Sequence, residues 1–362
     1  MPSQLLHVLF GEDVIAEIYR RLAPGFGLVA EKAMKRIQDT HKKVFALGCQ
    51  GPDIFYHSQG SRPVGLEYGT LLHRRGAGVF TARLLQMGLP DPPPDEEDIR
   101  MGRREKGISA LGVYALGYMT HAILDRLAHP YIVYKSDRPP PARLDRSHAF
   151  FERIIDVLML EKLRGTPISS WDQEALLAQT CEDPPLGLKE LLARALVLVY
   201  PERAEKDEKL SLRIENTFKD SAFFYRVTAP ANTMISNPVL QPFPMKKGYI
   251  AYLFPEDLPP NIDFLNLENR PWYYPAGKAK KDLRSFPQLY SEAVLTAADT
   301  LTPIFKSYLE AGLFPIKEAA RAIGNGGLSI VDKTGKPCPP TRSAPLPLQE
   351  VLTNQAQKRN TQ

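Results

Sequence analysis

Residues 110–130 read ALGVYALGYMTHAILDRLAHP. The run is apolar on most faces of a helix, and a helix that is apolar all round is a buried one. Three residues break the pattern. His121, Asp125 and His129 stand at i, i+4 and i+8. At about 100° per residue, four positions drift by only about 40°, so the three share one face. An ionised carboxylate inside an apolar helix costs several kcal/mol unless it is paired or binds a metal. Arg126 is adjacent to Asp125 but points about 100° away. A metal ion is the better account of Asp125. The helix is expected over 104–129, with Pro130 limiting its continuation.

The next helix, expected over 146–164, repeats the arrangement. Asp145 is its expected N-cap and Gly165 its stop. Phe151, Ile154, Ile155, Leu158 and Met159 form one apolar stripe. His148 and Glu152, four apart, lie on that side, so Glu152 is expected to face the core. One His-x-x-x-carboxylate pair is more often a structural histidine beside a surface acid. Two in succession plus His129, out of seven histidines in the chain, point to a metal centre of imidazole and carboxylate ligands. Zinc takes that donor set.

Upstream, Asp53 sits in a Gly51-Pro52-Asp53 turn flanked by aromatics, where turn formation is its ordinary role. His73 reads equally well as a core or helix-face residue. His7 follows two leucines and by itself reads as a core histidine. His41 stands among Asp39, Lys42 and Lys43 and reads as exposed; His57 is given no role.

The rest of the chain bounds the class. It has 362 residues, 43% hydrophobic and 24% charged, with a net charge of +5. That composition fits an ordinary globular core. The weak positive charge suits an anionic substrate without arguing for nucleic acid. Cys49, Cys181 and Cys338 form no C-x-x-C pair, which argues against a disulfide framework or a thiolate zinc site. No secretory leader and no transmembrane helix is read, so the expected compartment is the cytoplasm.

The expected fold is all-α, a multi-helix bundle with a Pro- and aromatic-rich insertion. Residues 1–235 form the helical metal-binding domain. Residues 236–331 hold a loop-rich segment and helices packing on it, with a short hairpin near 247–254 and helices over about 285–312 and 315–323. Residues 332–362 are expected as a mostly disordered tail. Trp272, Tyr273 and Tyr274 either wall a pocket or pack the core.

These residues resemble the zinc-dependent phospholipase C family, whose fold the fungal single-strand nucleases share. The resemblance rests on Gly51-Pro52-Asp53, His73, His121-x-x-x-Asp125, His129-Pro130 and His148-x-x-x-Glu152, in that order. It implies two to three zinc ions in a helical bundle. By it, Asp53, His73, His121 and Asp125 hold one zinc, and His129, His148 and Glu152 a second. Asp125 reaches towards a third, held by His7 and the N-terminus. Secreted members begin with a Trp; this chain opens Met1-Pro2. The implied activity is phosphodiester hydrolysis, with a metal-activated hydroxide attacking phosphorus and Asp53 orienting or deprotonating the water. The substrate is a phosphodiester, with phospholipid as one form. A nucleotide or nucleic-acid phosphodiesterase is the first alternative. A non-enzymatic helical protein with a structural metal is the second, and it requires a closed site without a water-accessible pocket.

Overall fold

A computed structural model describes residues 4–88, 107–137, 146–230, 247–278 and 280–361. Among them the protein is all-α apart from one two-stranded ribbon, as expected. The principal helices are α1 (Gln4–Lys35), α2 (Lys42–Cys49), α3 (Ile54–His57), α4 (Leu66–Arg74), α5 (Ala77–Met87), α6 (Ala110–Ser136) and α7 (Ser147–Arg164). They continue as α8 (Leu188–Val199), α9 (Leu210–Val227), α10 (Phe286–Ala311), α11 (Ile316–Ile323) and α12 (Leu348–Thr361). Strands β1 (Trp272–Tyr273) and β2 (Lys281–Asp282) pair antiparallel, Trp272 opposite Asp282. No helix among the described residues is long and apolar enough to cross a membrane.

Helix α6 is the axis of the fold. Ser109 caps it, its hydroxyl accepting from the Gly112 amide at 3.0 Å. It packs against α1, α2, α5, α7 and α10. Its crossing with α2 is close because glycines face each other there. A Cβ on Gly48 would stand 2.3 Å from the Tyr114 carbonyl oxygen, and one on Gly117 would stand 2.5 Å from that of Phe45.

The helix does not stop at Pro130, as its sequence suggested, but runs on to Ser136. Proline inside a helix costs about 3 kcal/mol. Tyr131, Ile132 and Val133 are all buried beyond it. Each such burial is worth roughly 1.5–3 kcal/mol, which outweighs the loss.

Helices α4 and α5 are divided at Arg75–Gly76, where Gly76 takes φ 79° and opens α5. Helix α7 ends at Gly165 with φ 64°, as read from sequence; Asp145, its expected cap, lies outside the described residues. No hairpin forms near 247–254. Lys247–Ile250 is a helical turn, and the ribbon lies further on. Helix α10 is capped at Ser285 by a reciprocal box with Gln288.

Residues 332–361 are not a disordered tail. Asp332 accepts from three amides of its own turn, and Val331 bridges Pro337. The amides of Ala344 and Leu346 donate to the carbonyls of Tyr134 and Lys135 at the end of α6. Helix α12 then buries Leu348, Val351, Leu352 and Ala356 against α7 and the 247–250 turn. Polar composition concealed a narrow apolar stripe that needs only one surface to dock on.

Candidate metal centre

Five segments bring the donors together. The start of α1 carries His7 and is tied down at two points: the Leu6 amide donates to Asp156 Oδ1 at 2.8 Å, and Gln50 Nε2 donates to the Gln4 carbonyl at 3.0 Å. Asp53 ends a 3-10 turn, Gly51–Asp53, that follows α2. His73 lies in the last turn of α4. Helices α6 and α7 supply His121, Asp125, His129, His148 and Glu152. Gly51 must be glycine twice over: its φ is +54°, and a Cβ there would lie 2.4 Å from the His121 ring.

Three groups of donor atoms result, each of which could hold a metal ion: His7 with His121 and Asp125, Asp53 with His73 and His121, and His129 with His148 and Glu152. In the first two, His121 Nε2 lies 3.3 Å from Asp125 Oδ2 and 3.6 Å from Asp53 Oδ2. His7 Nε2 lies 3.4 Å from Asp125 Oδ1, with its ring stacked on that of His121 at 4.1 Å. His73 Nε2 lies 2.9 Å from Asp53 Oδ1 and 3.9 Å from Asp125 Oδ2. In the third, His129 Nε2 and His148 Nε2 are 2.9 Å apart, and Glu152 Oε1 is 3.2 Å from His148 Nε2. All eight residues read from the sequence as ligands therefore fall into these groups. His7 shares a group with His121 as well as Asp125. The N-terminal amine lies outside the described residues.

The rings are aimed from behind. His121 Nδ1 is 3.1 Å from the Cys49 carbonyl, and His73 Nδ1 is 2.7 Å from that of Gly69. His148 Nδ1 is 2.8 Å from Asp137 Oδ1 and 3.1 Å from Ser136 Oγ. A ring held through Nδ1 has Nε2 left to face the interior, where it offers a lone pair to a metal once deprotonated. Asp137 was not singled out from sequence, although a signal exists. The four-residue stride 121, 125, 129 continues to 133 and 137, and reading Pro130 as the helix end hid it.

The interior is short of donors. Both Asp53 oxygens and His121 Nε2 are buried without a hydrogen bond. Buried polar atoms in that state call for an explanation. Acceptors gathered around a common point are what a divalent cation needs.

Protonation tells the same story. Burial lowers the pKa of His121, but Asp125 and Asp53 outweigh it and lift the pKa to about 9. Burial lowers that of His148 too, yet Glu152 and Asp137 raise it to about 9. Burial raises the Asp125 carboxyl, but His121 more than offsets this and holds it well below the usual range. His129 is pulled down to about 4, chiefly by burial. Without a cation the buried carboxylates demand protonated imidazoles; a divalent ion would displace those protons. The residues present fit such an ion.

A cavity of about 620 Å³ opens onto His73, His129 and His148. Arg74, Arg146, Tyr56 and Tyr252 also line it, as do Ser329, Ile330, Pro337, Cys338 and Pro340 of the C-terminal segment. Sequence reading did not anticipate that last wall. Trp272 instead packs edge-on to Tyr131 at 5.4 Å, and the Tyr274 hydroxyl bonds both the carbonyl and the amide of Val331. His57 stays outside the centre, 3.2 Å from Ser221 Oγ and stacked on Phe224 at 4.2 Å. His41, read as exposed, is half-buried.

A family model described as zinc dependent phospholipase C matches residues 7–196, just over half of the chain, a range within which all eight residues lie. No curated protein and no solved structure matches.

Proposed function

The chain belongs to the zinc dependent phospholipase C family, and from that premise we propose that it is a zinc-dependent phosphodiester hydrolase acting on phospholipid or a related diester. The observation that carries the reading is the convergence of three His/carboxylate groups beside an open cavity. His7, Asp53, His73, His121 and Asp125 would hold metal at the inner end. His129, His148 and Glu152 would hold it at the cavity, for two to three ions in all. When bound, zinc supplies Lewis-acid polarisation of a phosphoryl oxygen and lowers the pKa of water towards ~7.

The chain's own residues do the remaining work. Asp53, with both oxygens buried and short of hydrogen bonds, orients the attacking water and accepts its proton. Attack on phosphorus breaks the bond to the leaving alcohol. His73 and His121 fix Asp53 from two sides, and Asp137 with Ser136 sets the ring plane of His148. A purely structural metal requires a closed site, and a cavity reaching three of the histidines favours the enzyme.

Metal analysis and a chromogenic diester test the reading together. Purified protein is expected to carry two to three zinc ions and to hydrolyse bis(p-nitrophenyl) phosphate. Asp125→Ala is expected to abolish hydrolysis while the helical circular dichroism persists. Less than one ion per chain, or full activity in the variant, would overturn it. Phosphatidylcholine, single-stranded DNA and a nucleotide diester tested side by side separate lipase from nuclease.

A further inference from the structure

We propose that Arg74 makes this site selective for phosphodiesters bearing a second anionic group, a carboxylate or phosphate near the scissile phosphorus, over those bearing a quaternary ammonium. The proposal rests on the phosphodiester reading above. Arg74 directly follows His73 at the end of α4 and opens onto the same cavity as His73, His129 and His148. Among the described residues it makes no ion pair or hydrogen bond. Its neighbour Arg75 contrasts with it: Arg75 pairs with Glu202 and lies 5.8 Å from the Tyr200 ring centroid, away from the cavity. A second cation, Arg146, reaches the same cavity. The lining contains one carboxylate, Asp137, which is engaged with the His148 ring at 2.8 Å. The charge offered to the part of a substrate beyond the metals is therefore positive.

The aromatic lining does not provide a home for an ammonium group. Such groups bind over open aromatic faces. Tyr252 has the Arg146 guanidinium 5.0 Å from its centroid, and Tyr56 has the His73 ring at 4.8 Å. A quaternary ammonium would meet the Arg74 guanidinium and rings already covered. An anionic group would gain a charge-assisted, bidentate contact with Arg74.

Binding of two headgroup monoesters to the zinc-loaded protein tests this directly. By calorimetry, phosphoserine is expected to bind at least about tenfold more tightly than phosphocholine. Arg74→Gln is expected to remove most of that preference, and Arg74→Lys to keep part of it. Zinc content and thermal midpoint, measured on all three proteins, show that His73 and the fold are intact. Equal or reversed affinities in the wild type, or a full preference in Arg74→Gln, would overturn the proposal. A kinetic arm identifies the source of the anion. A higher kcat/KM for dihexanoylphosphatidylserine over its choline analogue assigns it to a lipid headgroup. The same preference confined to glycerophosphoserine over glycerophosphocholine assigns it to a soluble diester, and a preference in neither pair overturns the proposal. Failure to hydrolyse bis(p-nitrophenyl) phosphate would sink the phosphodiester reading alone, since the binding comparison still decides the role of Arg74.

Discussion

The His148 imidazole is held from behind by Asp137 and Ser136, and this support sets how well the third donor group can bind. Losing such a partner typically costs 10- to 100-fold in metal affinity. Asp137→Ala is therefore expected to weaken one zinc by about that factor, read by competition with a chromogenic chelator, with the fold unchanged. Unaltered affinity would show that Asp137 is a bystander. His57 gives the chain a pH dependence of a different origin. Burial pulls its pKa down to about 3 from an ordinary value of 6.5. The folded state thus keeps it neutral while the unfolded chain takes up a proton. Its contribution to stability is complete above about pH 6.5 and is lost as pH falls towards 3, at up to about 1.4 kcal/mol per unit. The thermal midpoint should fall between pH 7 and 5, and His57→Asn should flatten that fall by up to one proton; an identical slope in the variant would refute the assignment.

Within the elements, the crossing of α2 and α6 decides the distance between Asp53 and His121. Gly48 and Gly117 let the two backbones meet, and a Cβ at 117 would press on the Phe45 carbonyl at 2.5 Å. Overpacking of this kind costs typically 1–3 kcal/mol. Gly117→Ala should lower the urea midpoint accordingly and weaken zinc binding, because widening the crossing draws the Gly51–Asp53 turn off the His121 ring. A variant with wild-type stability and zinc affinity would contradict this account. The sequence showed the helix over 104–129 but neither α2 nor the contact between the two. Two glycines in apolar helices look like weak helix formers until a partner backbone is placed against them.

Across the whole molecule, the C-terminal segment completes what the metal-binding half begins. The Leu328 amide donates to the His73 carbonyl at 2.9 Å, and Arg126 donates to the carbonyls of Gly324 and Gly326 at 3.1 and 3.0 Å. Residues 329–340 wall the cavity, and α12 closes over α7, with Gln349 Nε2 2.6 Å from Ser147 Oγ. A chain ending at Arg342 would lack α12 and uncover the face of α7 on which Leu348, Val351, Leu352 and Ala356 dock, so its urea midpoint should drop. Its zinc content should persist, because every donor lies at or before Glu152. An unchanged midpoint would mean that α12 adds nothing to the fold.

The sequence by itself determined five of the candidate donors and the two helices that carry them. Spacing of four along a helix is a local property, so His121, Asp125, His129, His148 and Glu152 could be read as inward-facing before any contact was known. The all-α class followed from the same periodicity. Tertiary structure alone decided that His7, Asp53 and His73 meet His121, since these residues lie on separate segments and no local pattern encodes their meeting; there the resemblance, not the spacing, carried the expectation. It also decided that α6 passes Pro130 and so delivers Asp137, and that residues 329–340 form a wall. In both cases the deciding energy is burial against distant partners, which outweighs the local signal of a proline or of a polar stretch.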